Sequence, residues 1–504
     1  MKHFLVFIPL IFANYCFSTS VKSESFSKNP VHSLLFDKRY KERILEDDNS
    51  INQKFGLIAG KITQNLDHIG EDSGTFQQRY WYKNEWFKSG GPIFLVLGGA
   101  EALYPYFVQR DDTEWDNMAK TLGAWVFYLE HRFYQETQPT LDLSAENLKY
   151  LSSEQAIEDA AYFIKQMNDQ FSFTNVKWIT MGMGYGGSLA VWMRVRHPEL
   201  VSFASGSSAP IQAQVDFSEY LEAVMNSINV TNSTCASSIQ SGFGQVSQLM
   251  QTGVGRASLK STFNICEDLN SNNASFITKF WETIITPYMS IVESTDIGGA
   301  EINITNALCY FHYDNSTPVL TRMANVNDFY YSRIVGNDDC NSIDYDAYIQ
   351  PLQKSSYNDD RAWLWQLCTE FGFFHSTSSK TAGPFFGGQD KVPVSYYIQQ
   401  CTDVFGADYS ADYLANAVAK TNSKYGGRDY LNATFIVFPN GSFDPWSPLS
   451  KLTSTDGTVV PIIMNRASHE ADIYPPIVTD SNDLITGRTK IQAQLNLWLK
   501  ATNN

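Results

Sequence analysis

The sequence predicts an α/β protein in which a mostly parallel sheet has helices on both faces and is split by a mostly helical insertion. From about residue 92, short apolar stretches alternate with longer stretches of helical period. Similar apolar stretches return near the other end of the chain, whereas residues 213–360 show amphipathic and polar stretches instead. Alternating strands and helices are typical of a parallel sheet that is covered on both faces.

The individual elements can be followed along the chain. "PIFLVLGG" and "AWVFYLEHR" are apolar enough to be buried strands, and "WDNMAKTLG" between them predicts a helix. A serine N-cap precedes the predicted helix "SSEQAIEDAAYFIKQMND", and the strand "VKWITMG" leads through glycines into another helix. "ATFIVFPNG" and "TVVPIIMNRAS" predict two further strands, and the last amphipathic helix lies in "GRTKIQAQLNLWLKA".

These patterns predict four segments. Residues 1–20 form a signal peptide, 21–212 the first part of the sheet domain, 213–360 a helical insertion, and 361–504 the second part of the sheet domain. Active sites of open parallel sheets lie at the carboxyl ends of the strands. An insertion that leaves the sheet there would form a cap over the site.

The first residues are typical of a secretory signal. Lys2 and His3 give a basic start, an apolar stretch runs from Phe4 to Phe12, and small residues follow, so we expect cleavage near residues 18–21. A membrane anchor would need about twenty consecutive apolar residues, and no such stretch occurs in the sequence. We therefore expect an extracellular or lysosomal protein.

Cysteines and glycosylation sequons agree with that route. Cys16 would leave with the signal, and the six cysteines that remain are compatible with three disulfides in any of fifteen pairings; they are Cys235, Cys266, Cys309, Cys340, Cys368 and Cys401. Sequons lie at Asn229, Asn232, Asn273, Asn303, Asn315, Asn432 and Asn440. We expect glycans at all of these except Asn440, which precedes a candidate site residue.

Charge and residue spacing exclude several classes of partner. A formal net charge of −16 repels phosphate backbones, which argues against nucleic-acid binding. The adjacent Glu130, His131 and Arg132 lack the spacing of a metal site, so we expect neither a metal nor a cofactor. The sequence leaves the oligomeric state open, and a homodimer is one option.

The stretch GMGYGG, residues 182–187, has two interpretations. As G-x-G-x-x-G it would bind a dinucleotide pyrophosphate, and as G-x-S-x-G it would be an α/β-hydrolase elbow with Gly184 at the place of the serine. A dinucleotide fold would put the loop after its first strand and an acidic residue at the tip of the next strand. Here at least two predicted strands precede the loop, and "LVSFASGSSAP" ends without an acid. The pattern therefore favours the hydrolase elbow.

A hydrolase elbow is followed in the chain by an acid and then a histidine, each after a strand. Asp444 follows the strand in "IVFPNGSFDPW", and His469 follows the strand in "PIIMNRASHEAD". Either residue alone has an ordinary structural explanation, because Asp is common in turns. Their order and their places at strand ends together predict an acid–histidine pair.

At these residues the sequence resembles the serine exopeptidase family that includes prolylcarboxypeptidase, dipeptidyl peptidase II and thymus-specific serine protease, and it looks most like the last. The resemblance runs from near Gln64 to His469 through segments that include "FQQRYW", "GGPIFLVLGG", "EHRFY", "NLKYLSSEQAIED", "GGSLAVWMR" and "FPNGSFDPW". It implies an α/β-hydrolase fold split by a helical cap, and cleavage of short peptides near a terminus, often after proline.

The resemblance also implies roles for particular residues. Asp444 matches the catalytic acid and His469 the base, while Gly184 matches the nucleophile and is not serine. The backbone N–H of Tyr185 and the loop at Gly99 would polarise a bound carbonyl.

Two further departures from the family pattern are Gln135 in place of a glycine and Ala100 in the turn after Gly99. The resemblance pairs Cys368 with Cys401. Ser188, Ser207 and Ser208 are near the elbow or the next strand, and we interpret them as structural.

These observations predict a peptide-binding member of this family whose catalysis is impaired at Gly184, since glycine has no hydroxyl to attack a carbonyl. The alternative is an active serine-type exopeptidase of the dipeptidyl peptidase or prolyl carboxypeptidase type. The remote alternative is a nucleotide-binding protein.

Overall fold

A computed structural model describes residues 56–100, 103, 107–269, 273–295 and 302–502. Within these residues the main element is an eight-stranded sheet in the order β1-β2-β4-β3-β5-β6-β9-β10. The ten strands are β1 Ile58–Asn65, β2 Thr75–Lys83, β3 Ile93–Leu97, β4 Trp125–Leu129, β5 Trp178–Met183, β6 Val201–Ser207, β7 Gln214–Asp216, β8 Gly372–Phe374, β9 Ile436–Gly441 and β10 Val459–Met464.

The strands of the sheet fall into two groups. β1 pairs antiparallel with β2, and β2 pairs antiparallel with β4. From β4 onward, each neighbouring pair through β3, β5, β6, β9 and β10 is parallel. This arrangement, with one antiparallel strand near an edge and a parallel remainder, is the α/β-hydrolase fold that the sequence predicted.

The parallel strands are buried because both faces of the sheet are covered. Along β3, Ile93, Leu95 and Leu97 pack into one hydrophobic cluster, while Phe94 and Val96 pack into the other. Successive side chains of a strand point to opposite faces. An uninterrupted apolar strand therefore indicates a sheet with helices on both sides.

Local sequence fixes the ends of the helices that flank the sheet. The Thr113 side chain accepts a hydrogen bond from the Asp116 N–H, and the Asp116 side chain accepts one from the Thr113 N–H, forming a capping box. Ser152 caps the next long helix in the same sense, by accepting from the Gln155 N–H. The helices of this part are α1 Glu114–Leu122, α2 Ala145–Leu148, α3 Ser153–Phe171 and α4 Gly184–Arg196.

A long helical segment separates β6 from β9. Its α-helices are α5 Glu219–Thr231, α6 Ser233–Leu249, α7 Gly253–Thr262, α8 Ala274–Glu293, α9 Tyr310–His312, α10 Val319–Asp328, α11 Tyr345–Gln353, α12 Asp359–Gln366, α13 Ala382–Phe385, α14 Val394–Phe405 and α15 Ala411–Tyr425. It also has π-helical turns at Ile304–Cys309, Phe329–Val335 and Leu367–Phe371, and β7 pairs with β8 inside it.

The helical segment is longer than the predicted insertion of residues 213–360. The helical segment continues beyond residue 360, since the large sheet resumes at Ile436. That the cap ends at residue 360 and the second part of the sheet domain begins at 361 stays a prediction. After β9, a 3₁₀ turn at Ser447–Leu449 and β10 lead to the last helix, α16 Asn482–Thr502.

Among the described residues, three disulfides join parts of the helical segment. They link Cys235 to Cys309, Cys266 to Cys340 and Cys368 to Cys401. The last is the pair that the family resemblance implied. Each bond closes a loop of the chain and so reduces the conformational entropy of the unfolded state.

Two observations concern the secretory route. No helix in the described ranges has the length and apolar character needed to cross a membrane. The predicted signal peptide and Cys16 lie outside the described residues.

Candidate active site

Gly184 lies at the sharp turn where β5 ends and α4 begins, and its φ of +50° is in the left-handed region. A Cβ built on this residue would lie 3.6 Å from Nε2 of His469. A side chain at position 184 would therefore point at the histidine, as the nucleophile of a hydrolase elbow does. Glycine adopts this backbone conformation without the strain that a side chain would add.

The other glycines of GMGYGG are explained by close packing. A Cβ on Gly182 would lie 2.2 Å from the Gly186 carbonyl oxygen, and one on Gly186 would lie 2.5 Å from the Leu97 carbonyl oxygen. Both contacts involve backbone atoms and are too short for any side chain. The glycine spacing follows from packing of α4 against β3 and β5, and nothing in it calls for a nucleotide.

Asp444 and His469 come together beside this elbow. Asp444 follows β9 and His469 follows β10, at the carboxyl ends of neighbouring parallel strands. The Nδ1 of His469 lies 2.8 Å from Oδ1 of Asp444, and both side chains are buried. The Trp446 N–H also donates to Asp444 Oδ1, at 2.9 Å, which fixes the carboxylate. This is the geometry of an acid that orients a histidine.

Glu470 is the site residue that sequence reasoning missed. Its Oε1 lies 3.2 Å from Nε2 of His469, on the side of the ring opposite Asp444. The same oxygen is 2.6 Å from the Cβ position of residue 184. Glu470 is buried and has a φ of 59°. Its carboxylate thus stands where a nucleophile's side chain would be.

The two carboxylates determine the charge of His469. Burial by itself would lower the pKa of this imidazole, but the charges of Asp444 and Glu470 raise the pKa well above its usual value of 6.5. The hydrogen bond of Nδ1 with Asp444 and the contact of Nε2 with Glu470 act in the same direction. The charged imidazolium form of His469 is therefore favoured between the two acids.

The serines near the elbow hold the histidine loop or the elbow itself. Ser208 Oγ accepts from the Glu470 N–H at 2.8 Å, and Ser207 Oγ donates to Asp472 Oδ1 at 2.6 Å. Ser188 Oγ donates to the Pro210 carbonyl at 3.1 Å, and its side chain is fully buried. These contacts give each of the three serines a structural role.

The residues predicted to polarise a carbonyl lie close to the elbow. Tyr185 is in the first turn of α4, where helical backbone N–H groups have no acceptor within the helix. Gly99 packs against the same turn, since a Cβ on it would lie 2.8 Å from the Gly186 nitrogen. The Tyr185 hydroxyl is 3.1 Å from Nε2 of His131 and accepts from Gln366 Nε2 at 2.9 Å. The elbow is thus braced from the sheet and from the helical segment.

The helical segment reaches the site through Glu293, at the end of α8. The His469 N–H donates to the Glu293 carbonyl oxygen at 3.3 Å, and Trp446 Nε1–H donates to Glu293 Oε1 at 2.6 Å. This segment therefore covers the histidine side of the site, as expected for a cap.

Other predicted residues have different surroundings. Gln135 has a φ of 54° and donates through Nε2 to Asp359 Oδ2 at 2.7 Å, tying the sheet domain to α12. Glu130 and Arg132 are both ion-paired, with Arg79 and Asp159 respectively. In the part of the chain that the structure covers, no group of three or more His, Cys, Asp or Glu side chains is placed to hold a metal ion.

The sequons differ in exposure. Asn440 is fully buried in β9. The side chains of Asn232, Asn273 and Asn303 cap helix starts by accepting backbone hydrogen bonds. Four of the sequon residues are exposed at the surface: Asn229, Asn273, Asn315 and Asn432.

The strand order, the glycine elbow and the acid–histidine pair at adjacent strand ends together define an α/β-hydrolase. Comparison with known proteins gives the family: the sequence profile of the serine carboxypeptidase S28 peptidases matches residues 64–491. The chain belongs to this family.

Its relatives are serine peptidases by name. A Caenorhabditis elegans protein named "Putative serine protease K12H4.7" is 46% identical over 88% of this chain and 89% of its own length. Human thymus-specific serine protease is 31% identical over 92% of this chain and 93% of its own. Human lysosomal Pro-X carboxypeptidase is 25% identical, with 87% of each chain covered.

Proposed function

We propose that this chain is a secreted or lysosomal, peptide-binding homologue of the S28 serine peptidases whose peptidase activity is strongly impaired. The observation that carries the proposal is the position of Gly184. Its Cβ direction faces His469 Nε2 at 3.6 Å, from the turn that holds a hydrolase nucleophile, and glycine offers no hydroxyl there.

The effect of losing the nucleophilic hydroxyl on kcat is known for serine proteases. Removing the nucleophilic serine from a serine protease lowers kcat by about 10⁶-fold, and the residual acceleration over water comes from the oxyanion donors and substrate binding. The donors at Tyr185 and Gly99 do not depend on the side chain of residue 184. The chain therefore keeps the means to hold a peptide carbonyl while lacking the group that attacks it.

Peptides are the proposed ligands because the relatives are peptidases by name. The helical segment that covers the site would restrict access to chain ends or short peptides. A secreted or lysosomal location is supported by the predicted signal peptide and by a relative named as lysosomal.

The experiment is to express the protein with its disulfides and treat it with a fluorophosphonate probe, which labels activated serines. We expect no labelling and no hydrolysis of short proline-containing peptides above the level of a His469→Ala variant. Binding of the same peptides is then measured by calorimetry.

Robust hydrolysis that is abolished by His469→Ala would contradict the proposal and support an active exopeptidase. Tight binding of a dinucleotide in the calorimeter would support the nucleotide alternative.

A further inference from the structure

Besides Gly184, Glu470 is a second residue that does not suit the chemistry of a serine peptidase. Glu470 follows the histidine directly, and its left-handed backbone conformation accompanies a side chain that returns toward the elbow. Non-glycine residues with φ in this region are uncommon, and such conformations concentrate at functional sites. The Glu470 N–H is fixed by Ser208 Oγ at 2.8 Å, so the conformation is supported by a hydrogen bond.

The Glu470 carboxylate lies in the space that a nucleophilic side chain at position 184 would need. Oε1 lies 2.6 Å from the Cβ position of residue 184 and 3.2 Å from His469 Nε2. A serine hydroxyl would have to lie between that Cβ and that nitrogen to deliver its proton. The same volume holds the Glu470 carboxylate, which would have to shift to admit a side chain, because a contact of 2.6 Å is shorter than real Cβ contacts.

The carboxylate also affects the base. In a serine hydrolase the neutral imidazole takes the hydroxyl proton, while the acid on Nδ1 fixes the tautomer. Here Nδ1 faces Asp444 at 2.8 Å and Nε2 faces Glu470 at 3.2 Å. With a carboxylate on each nitrogen, the charged form with two N–H donors is favoured, and this form has no lone pair to accept a proton.

We propose that Glu470 is a second determinant of the inactive site: its carboxylate occupies the nucleophile's volume and holds His469 in an ion pair through Nε2. The inference rests on the proposed loss of peptidase activity and deepens it. Glu470 acts here as a positioning residue, because it works through His469 and through the space beside residue 184. It follows that a serine at position 184 does not by itself restore the site.

The test compares four variants that all contain Gly184→Ser: the single variant, and double variants with Glu470→Ala, Glu470→Gln or Glu199→Ala. Labelling by a fluorophosphonate measures one defined step. The hydroxyl oxygen introduced at position 184 bonds to phosphorus, the P–F bond breaks, fluoride leaves, and the hydroxyl proton passes to Nε2 of a neutral His469. Hydrolysis of proline-containing peptides is measured in parallel.

The Glu470→Ala double variant is expected to be labelled on the order of 10²-fold faster than Gly184→Ser alone, the lower range of a general base's contribution. Glu470→Gln removes the charge and keeps the volume of the side chain. The labelling rate of this double variant should therefore lie between those of Gly184→Ser alone and the Glu470→Ala double variant. Glu199→Ala is the matched control: Glu199 also lies beside a histidine, with Oε1 3.2 Å from His197 Nδ1, but on the surface. It should leave the rate of Gly184→Ser unchanged.

Equal labelling of Gly184→Ser with and without Glu470→Ala, whether fast or absent, would overturn the inference. Circular dichroism melting shows whether each variant is folded, and the isosteric Glu470→Gln supplies the comparison if the alanine variant unfolds. A hydrolytically active natural sequence would instead refute the proposed function, so the two failures are distinguishable.

Discussion

Two buried histidines of this protein, His131 and His469, have pKa values that are shifted in opposite directions. Burial lowers the pKa of His131 to about 4, and the nearby Arg132 adds to the lowering. His469 is as deeply buried, yet two carboxylates raise its pKa well above 6.5. Burial lowers the pKa of both histidines, and only at His469 do neighbouring carboxylates reverse the shift.

The difference follows from hydrogen-bond partners. His131 Nδ1 lies 2.6 Å from the Arg132 carbonyl oxygen, and its Nε2 lies 3.1 Å from the Tyr185 hydroxyl. Both partners are neutral and suit an imidazole with one proton. Both partners of His469 are acids. His131 braces the elbow through the Tyr185 hydroxyl, whereas His469 lies between two carboxylates.

The largest expected effect concerns His131 in acid. The unfolded histidine binds a proton near pH 6.5 and the folded one only near pH 4, so between these values the unfolded state holds more protons. Stability then falls as the pH drops from 6.5 to 4, by about 3 kcal/mol at 1.36 kcal/mol per pKa unit. Urea unfolding at pH 7 and pH 4.5 should show a smaller loss for His131→Gln than for the natural protein, in which His312, whose pKa burial also lowers to about 4, contributes a loss of the same sign.

The control for that prediction is His197→Gln. Glu158 raises the pKa of His197, so losing this histidine cannot lessen the destabilisation in acid. An equal acid sensitivity of the natural protein and His131→Gln would contradict the assignment of His131 as neutral.

A smaller effect of opposite sign is expected for His469. Its folded pKa is raised, so its contribution to stability is fully present below pH 6.5 and is lost as the pH rises toward the folded pKa. Glu470→Gln removes one of the two charges and should reduce this alkaline loss by about 1.5 kcal/mol, the lower end of the range for a hydrogen bond to a charged group. Urea unfolding at pH 6 and pH 9 measures it.

Glu199→Gln is the matched substitution on the surface and should change the slope between pH 6 and pH 9 little, since exposed ion pairs contribute about 0–1 kcal/mol. If Glu470→Gln leaves the slope as it is in the natural protein, the ion pair with His469 does not form in solution.

The fold was predictable where apolar stretches were unbroken. β3, β4, β5 and β9 are strands that hydrophobic runs predicted, and the two loops after β9 and β10 bring Asp444 and His469 together. The hairpin of β1 and β2 was not predicted, because polar residues such as Gln64 and Gln78 interrupt its pattern. These two glutamines are buried and hydrogen-bonded to each other at 2.7 Å, a contact that periodicity does not reveal.

The sequence predicted which strand ends carry the acid and the histidine of the candidate site. It did not predict the charges that surround the histidine. Order along the chain places an acid and a histidine at strand ends, but the direction of the neighbouring Glu470 depends on one left-handed φ angle and on the bond to Ser208. Sequence carries a weak signal for it, namely a second acid directly after the predicted base. Only the fold shows that this acid faces Nε2.

The most direct test of this account is the protonation state of His469 at pH 7. Nitrogen NMR of protein labelled with ¹⁵N-histidine distinguishes protonated from unprotonated ring nitrogens, and the His469→Gln spectrum assigns the signals. We predict that both Nδ1 and Nε2 of His469 carry protons at pH 7, while His131 carries one. A His469 ring with an unprotonated Nε2 at pH 7 would contradict the account, because that histidine would be free to act as a base.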